Sequence, residues 1–289
     1  MISTHSSHKI NNMKIIHQVH PEDFVKYTTE QIRAKFLLDN LVEPGAINFV
    51  YTHYDRMVVG AATPTTEAIQ LGTYDALKSE NFLDRREIGI VNIGATGSIT
   101  VEGQTFTLNK IDCLYVGMGN REVIFHPSTD PSNPSKYILF SCPAHASYPT
   151  QLMQSKDATP AEMGSAETAN HRTINKYIHA DGLKSCQLVL GVTNFKPGSI
   201  WNTMPAHLHD RRMEAYFYFD LPETQRVIHF MGEPHETRHM FLNNEQGIVS
   251  PSWSIHSGVA TASYSFIWAM AGENMSFADM DFVNIQLLK

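Results

Sequence analysis

His207, His209 and Glu214 stand within one fifteen-residue stretch, PAHLHDRRMEAYFYF, and His256 follows in SPSWSIHSG. On an extended strand, residues two apart point to the same face, so His207 and His209 aim together. Asp210-Arg211-Arg212 is a polar break that can turn the chain. Beyond it, Glu214, Tyr216 and Tyr218 share one strand face, and Ala215, Phe217 and Phe219 share the other. His256 lies between a proline-led turn and a further strand. Three imidazole nitrogens and one carboxylate make a borderline-soft donor set suited to zinc, iron, manganese or nickel. Four protein ligands leave open positions on an octahedral metal, and even zinc can expand to five. Fifteen histidines in 289 residues make an H-x-H pair easy to reach by chance. Glu214 at its spacing and the distant His256 are what favour ligands over strand decoration.

The elements that must carry these residues are mostly short strands. AINFVYT, REIGIVNI, GSITVEGQTFTL, DCLYV, KYILFSC, CQLVLGVTNF, EAYFYF, RVIHFMG and ASYSFIWAMAG alternate or run apolar between Gly- and Pro-rich turns. A tight turn is expected at Glu102-Gly103. One helix is expected over residues 28–40, where Thr28 and Gln31 fit a capping box and Ile32, Phe36 and Leu37 keep helical spacing. This pattern predicts an all-β chain of sandwich or barrel type. Residues 154–173, poor in large apolar side chains, read as a connection between two halves.

The halves resemble each other. DRREIGIVNI at Asp84 lies against DRRMEAYFYF at Asp210 with an offset of 126, and LNKIDCLYV at Leu108 lies against LNNEQGIVS at Leu242 with an offset of 134. A duplicated β-barrel follows. At the first offset, His207, His209 and Glu214 fall on Asn81, Leu83 and Ile88, so one copy can hold a metal and the other cannot. Arg211 and Arg212 have counterparts in Arg85 and Arg86, which favours a scaffold role for the arginines. An exposed face of residues 84–93 is expected to serve oligomer contacts.

Composition narrows the function. A formal net charge of −7 argues against binding a nucleic-acid duplex, and no run of 18 apolar residues spans a membrane. The amino terminus lacks the apolar core of a secretory signal. Cys113, Cys142 and Cys186 are odd in number and far apart, reading as buried thiols in a reducing cytoplasm. His5 and His8 read as part of a polar tail.

H-x-H-x4-E followed by P-x4-H resembles the two cupin motifs, and the doubled domain resembles a bicupin. Trp201, Leu221 and Trp253 replace the usual glycines of those motifs and point to a narrower group. HRTINKYI (171–178), WNTMPAHLHDRRMEAYFYF (201–219), ETRHMFLNNEQ (236–246), SPSWSIHSGVAT (250–261) and FLDRREIGIVNIG (82–94) closely resemble the 5-keto-4-deoxyuronate isomerase family. The resemblance implies two cupin-type jelly-roll barrels with a few short helices. It divides the chain into a tail (1–20), a metal-free domain (21–153), the connection (154–173) and a metal-binding domain (174–289). It implies a ketol-isomerase converting 5-dehydro-4-deoxy-D-glucuronate to 3-deoxy-D-glycero-2,5-hexodiulosonate in pectin and uronate breakdown. One zinc ion per chain would sit on His207, His209, Glu214 and His256, in a homohexamer.

Such a reaction needs a base and a cation for the substrate carboxylate. Lys176, Tyr216 and Tyr218 are the candidate catalytic residues; Arg172, Arg238 and Trp253 are the candidate substrate contacts. Trp201 and Trp268 could also wall the pocket, or simply pack. Two rival classes share the ligand set: an iron or copper dioxygenase, and a non-catalytic sugar-binding cupin.

Overall fold

β-Branched and aromatic residues at alternate positions give each short strand one face to bury. The computed structural model, described for residues 13–273, 276 and 279–289, folds as two β-barrels, and His5 and His8 lie outside the described residues. In the first barrel a seven-stranded sheet runs in the order 14–16, 47–52, 58–62, 137–143, 86–92, 113–116, 151–153. It packs on a four-stranded sheet ordered 69–70, 123–126, 97–101, 104–108, around Ile88, Ile90, Ile99, Val116 and Phe125. In the second barrel the order is 161–163, 172–178, 189–195, 265–272, 212–219, 246–250, 37–38, opposite five strands ordered 236–242, 227–233, 255–260, 201–208, 281–282.

Strand register supports the duplication residue by residue. Ile88 lies opposite Val116 and Ser141, while Glu214 lies opposite Ser250 and Met270. Ile88 to Glu214 is the offset of 126, and Val116 to Ser250 is the offset of 134. The Glu102-Gly103 turn closes Val101 onto Gln104 with both φ angles positive, at 47° and 80°, as a two-residue hairpin requires.

The outward face of strand Arg86–Asn92 is not exposed. All seven of its residues are buried, because the large sheets of the two barrels pack against each other. Val91, Phe140 and Cys142 share one core with Leu190, Ala215 and Phe217. At its centre the carboxylate of Glu87 accepts hydrogen bonds from the backbone N–H groups of Cys186, Gln187 and Leu188 and from the Tyr115 hydroxyl, at 2.7–2.9 Å. Four donors compensate a buried charge, and they tie one barrel to the other. Cys113 and Cys142 are buried and Cys186 half-buried, all as free thiols.

Three segments differ from their sequence readings. The helix has its Thr28–Gln31 capping box but runs only over Thr29–Phe36; Leu37–Leu38 extends and pairs with Ile248 and Gly247. Pairing there satisfies backbone groups that a longer helix would leave open on the sheet edge. For the same reason part of the connection 154–173 becomes an edge strand, Ala161–Met163, paired with Ile174, Thr173 and Arg172. Within the tail, Lys14–Ile16 pairs in parallel with Val50–Thr52.

Candidate metal centre

His207 ends a strand of the smaller sheet, and its strand partner in register is His256. His209 follows just before the turn, and Glu214 projects from the larger sheet two residues after Arg212. The four side chains meet inside the second barrel, with one ligand atom from each lying within 4.8 Å of the others. His256 Nε2 is 2.9 Å from Glu214 Oε2 and 3.0 Å from His207 Nε2; His209 Nε2 is 3.2 Å from the same carboxylate oxygen. His209 donates its Nδ1 proton to the Arg212 carbonyl at 3.0 Å, which fixes the ring with Nε2 turned inward toward Glu214.

Electrostatics favour a cation among these groups. Burial pushes the Glu214 carboxyl up, but His256 and His209 outweigh it and hold the group well below the usual carboxylate range. Burial, with His256 beside it, lowers His207 to about 3, so this imidazole is neutral. His209 is pulled up: burial opposes its charge, and the Glu214 carboxylate more than offsets that. A single buried anion thus draws positive charge to a point where three imidazoles converge. Three nitrogens and one oxygen on that point fit a divalent ion of the zinc, iron or manganese type.

A cavity of about 450 Å³ opens over the centre. Arg172, Ile174 and Lys176 alternate along one strand and therefore all line it. Tyr216 lines it as well; its hydroxyl is 3.1 Å from Thr203 Oγ1, and burial raises its pKa so that it stays protonated. Burial draws Arg172 down from the ordinary guanidinium value, while its Nη1 donates to the Asn170 carbonyl.

The other candidates stand elsewhere. Tyr218 lies behind Tyr216, its hydroxyl 2.8 Å from His229 Nδ1. Arg238 pairs with Glu236 and donates to the Val25 carbonyl, so it anchors the amino-terminal segment. Trp253 packs edge-on against Phe24, and Trp201 stacks on Phe230. Of the three tryptophans only Trp268 lines the cavity. Arg212 also lines it, buried and 2.8 Å from Asp279. Strand parity could have found it, since Arg212 stands two residues before Glu214 on the same face. Met163, Met280 and Phe282 reach the cavity from segments with no motif to mark them.

A family model described as the KduI/IolB family matches residues 37–285. The chain is 53% identical over 269 residues to a 4-deoxy-L-threo-5-hexosulose-uronate ketol-isomerase of Halalkalibacterium halodurans, covering 93% of this chain and 97% of that one. It is 54% identical over 277 residues to proteins of the same name from Shouchella clausii and Caldicellulosiruptor bescii, covering 96% of this chain and all of each relative. Among solved structures, an IolB-like protein from Salmonella typhimurium superposes with a TM-score of 0.70 at 15% identity, over 86% of this chain and 96% of that one. Oxalate decarboxylase of Lactobacillus farciminis superposes at 0.58 with 11% identity, over 84% and 85% of the two chains.

Proposed function

The chain belongs to the KduI/IolB family as a ketol-isomerase of uronate catabolism, and we propose that it converts 5-dehydro-4-deoxy-D-glucuronate to 3-deoxy-D-glycero-2,5-hexodiulosonate. The observation that carries this reading is the cavity itself: four convergent metal-type ligands at one wall and two cationic side chains, Arg172 and Lys176, on another. His207, His209, Glu214 and His256 would hold one zinc ion, which when bound polarises the substrate's carbonyl oxygen and steadies negative charge there. Arg172 grips the substrate carboxylate through its two-pronged guanidinium. Lys176 lies on the same strand face and serves the carboxylate or the oxygen that gains charge. Tyr216, protonated and hydrogen-bonded to Thr203, donates toward the oxygen atoms of the reacting carbons. Isomerisation then needs the C2 proton to leave to a base and return at C1, with a second proton moving between the two oxygens. Tyr218 backs Tyr216 by ring contact at 6.1 Å and acts through it.

In this reading Arg238 and Trp253 hold the amino-terminal segment and the first barrel is the scaffold. The enzyme works in the cytoplasm as a homohexamer on sugars released from pectin, without nucleic-acid or membrane partners. The test is an assay on enzymatically generated deoxy-ketouronate, with and without chelator, while dissolved oxygen is followed. Isomerisation that stops on chelation and consumes no oxygen is expected. Full activity in a His207→Ala, His256→Ala double variant would overturn the metal-centred mechanism, and oxygen uptake would overturn the isomerase.

A further inference from the structure

Strand pairing aligns Lys176, Gly191, Trp268 and Tyr216 in one row across the large sheet of the second barrel, all facing inward. Gly191 is the gap in that row. A Cβ built on it would meet Trp268 Cζ2 at 2.1 Å, and Cε2 and Cη2 at 2.6 Å, so the indole lies flat over the bare glycine backbone. The indole Nε1 donates to Thr193 Oγ1 at 3.1 Å, which pins the ring in that pose from the neighbouring position on the same strand. With its edge hydrogen-bonded and its underside on Gly191, the ring contributes a flat apolar wall to the cavity, flanked by Ile174, Phe266 and Met270.

We infer that Trp268, laid down by Gly191 and pinned by Thr193, is a specificity-determining platform that receives the methylene side of a deoxy sugar acid. The inference rests on the isomerase reading above. A sugar carbon without its hydroxyl presents only C–H groups, which pack on an aromatic face at no polar cost. A hydroxyl at the same carbon would lose its hydration against the indole, Ile174 and Phe266 and gain no partner. An apolar wall rejects an added hydroxyl only modestly, so discrimination of up to about 100-fold is the scale to expect.

Three substitutions test it in the metal-loaded enzyme. Gly191→Ala forces the indole off the backbone and into the cavity; KM for the deoxy-ketouronate should rise about tenfold, with metal content unchanged. Trp268→Gln removes the flat ring and offers a hydrogen-bond partner in its place. It should weaken the deoxy substrate while tightening competitive inhibition by D-glucuronate, which carries the C4 hydroxyl, so that the ratio of the two constants collapses toward the value for a polar wall. Thr193→Val frees the ring and should shift that ratio by only a few-fold. Indole fluorescence quenched by saturating deoxy-ketouronate more than by D-glucuronate in the parent protein, and by neither in Trp268→Phe, places the deoxy face on the ring whatever reaction follows. An active parent enzyme whose Gly191→Ala and Trp268→Gln forms keep both KM and the ratio would overturn the platform. An inactive parent would instead overturn the isomerase reading, with the fluorescence result still deciding the platform.

Discussion

Ile88 and Glu214 stand at the same place in two copies of one strand, each flanked by the corresponding neighbours. In the first barrel the position is filled by a branched alkyl chain within an apolar core. In the second it carries a carboxylate that organises three imidazoles. Two residues earlier, both copies bury an arginine, Arg86 and Arg212. Arg86 gives its protons to Ser141 and to the Arg56 carbonyl at 2.6–3.1 Å, and burial pulls it down to about 10. Arg212 faces Asp279 across 2.8 Å at the cavity wall. The same backbone therefore tolerates an apolar core or a cavity with a buried His/Glu cluster. What separates them is a few inward-facing side chains and the segments that close each barrel.

Making the second copy like the first should have the largest effect. Glu214→Ile is expected to cost on the order of 10³-fold in turnover, comparable to losing a principal electrostatic group. Elemental analysis of the purified protein should show the metal gone, while circular dichroism stays β-rich. The reverse exchange, Ile88→Glu, places an unpartnered carboxylate in the first core. About 3–5 kcal/mol of stability should be lost in urea titrations, with no metal gained. The arginines sharpen the contrast. Arg86→Met should lower stability by about 1–3 kcal/mol and leave KM unchanged. Arg212→Met should raise KM as well, because Arg212 lines the cavity and its loss leaves its buried partner Asp279 unpaired.

Acid should separate the barrels more gently. Burial holds His229 at about 3, far below the 6.5 of an exposed imidazole. The unfolded chain therefore binds the extra proton first, so this contribution is intact above pH 6.5 and drains away as pH falls toward 3. Among the described residues the buried histidines are His209, His229 and His256, all in the second barrel. Amide exchange as pH is lowered through that window should show protection lost there before the first barrel, and His229→Gln should flatten the difference. The smallest effect expected is about 1 kcal/mol for Thr28→Ala, which removes the cap of the helix packed on the second barrel. Chemical denaturation measures it.

Much of the centre was legible because it is written in local parity. His207 and His209, and then Glu214 and Tyr216, are placed by the two-residue period of a strand, and the internal repeat identifies which copy carries the His/Glu cluster. Arg172 and Lys176 reach the cavity for the same reason. Arg238 and Trp253 sit beside the motifs in sequence yet turn to the amino-terminal segment, held by Val25 and Phe24. Nothing near either residue encodes that contact, since its partner lies more than 200 residues away.

Sequence alone therefore determined strand alternation, the repeat and the grouping of three histidines with Glu214, all of which are legible in the order and spacing of residues along the chain. Tertiary structure decided which outward face of each barrel is covered, that Leu37–Leu38 completes the far sheet, and that Met280 and Phe282 border the cavity. It also decided that Trp268 lies down over Gly191. Those outcomes depend on the fit between segments distant in the chain, where burial and hydrogen-bond satisfaction are settled by packing rather than by spacing.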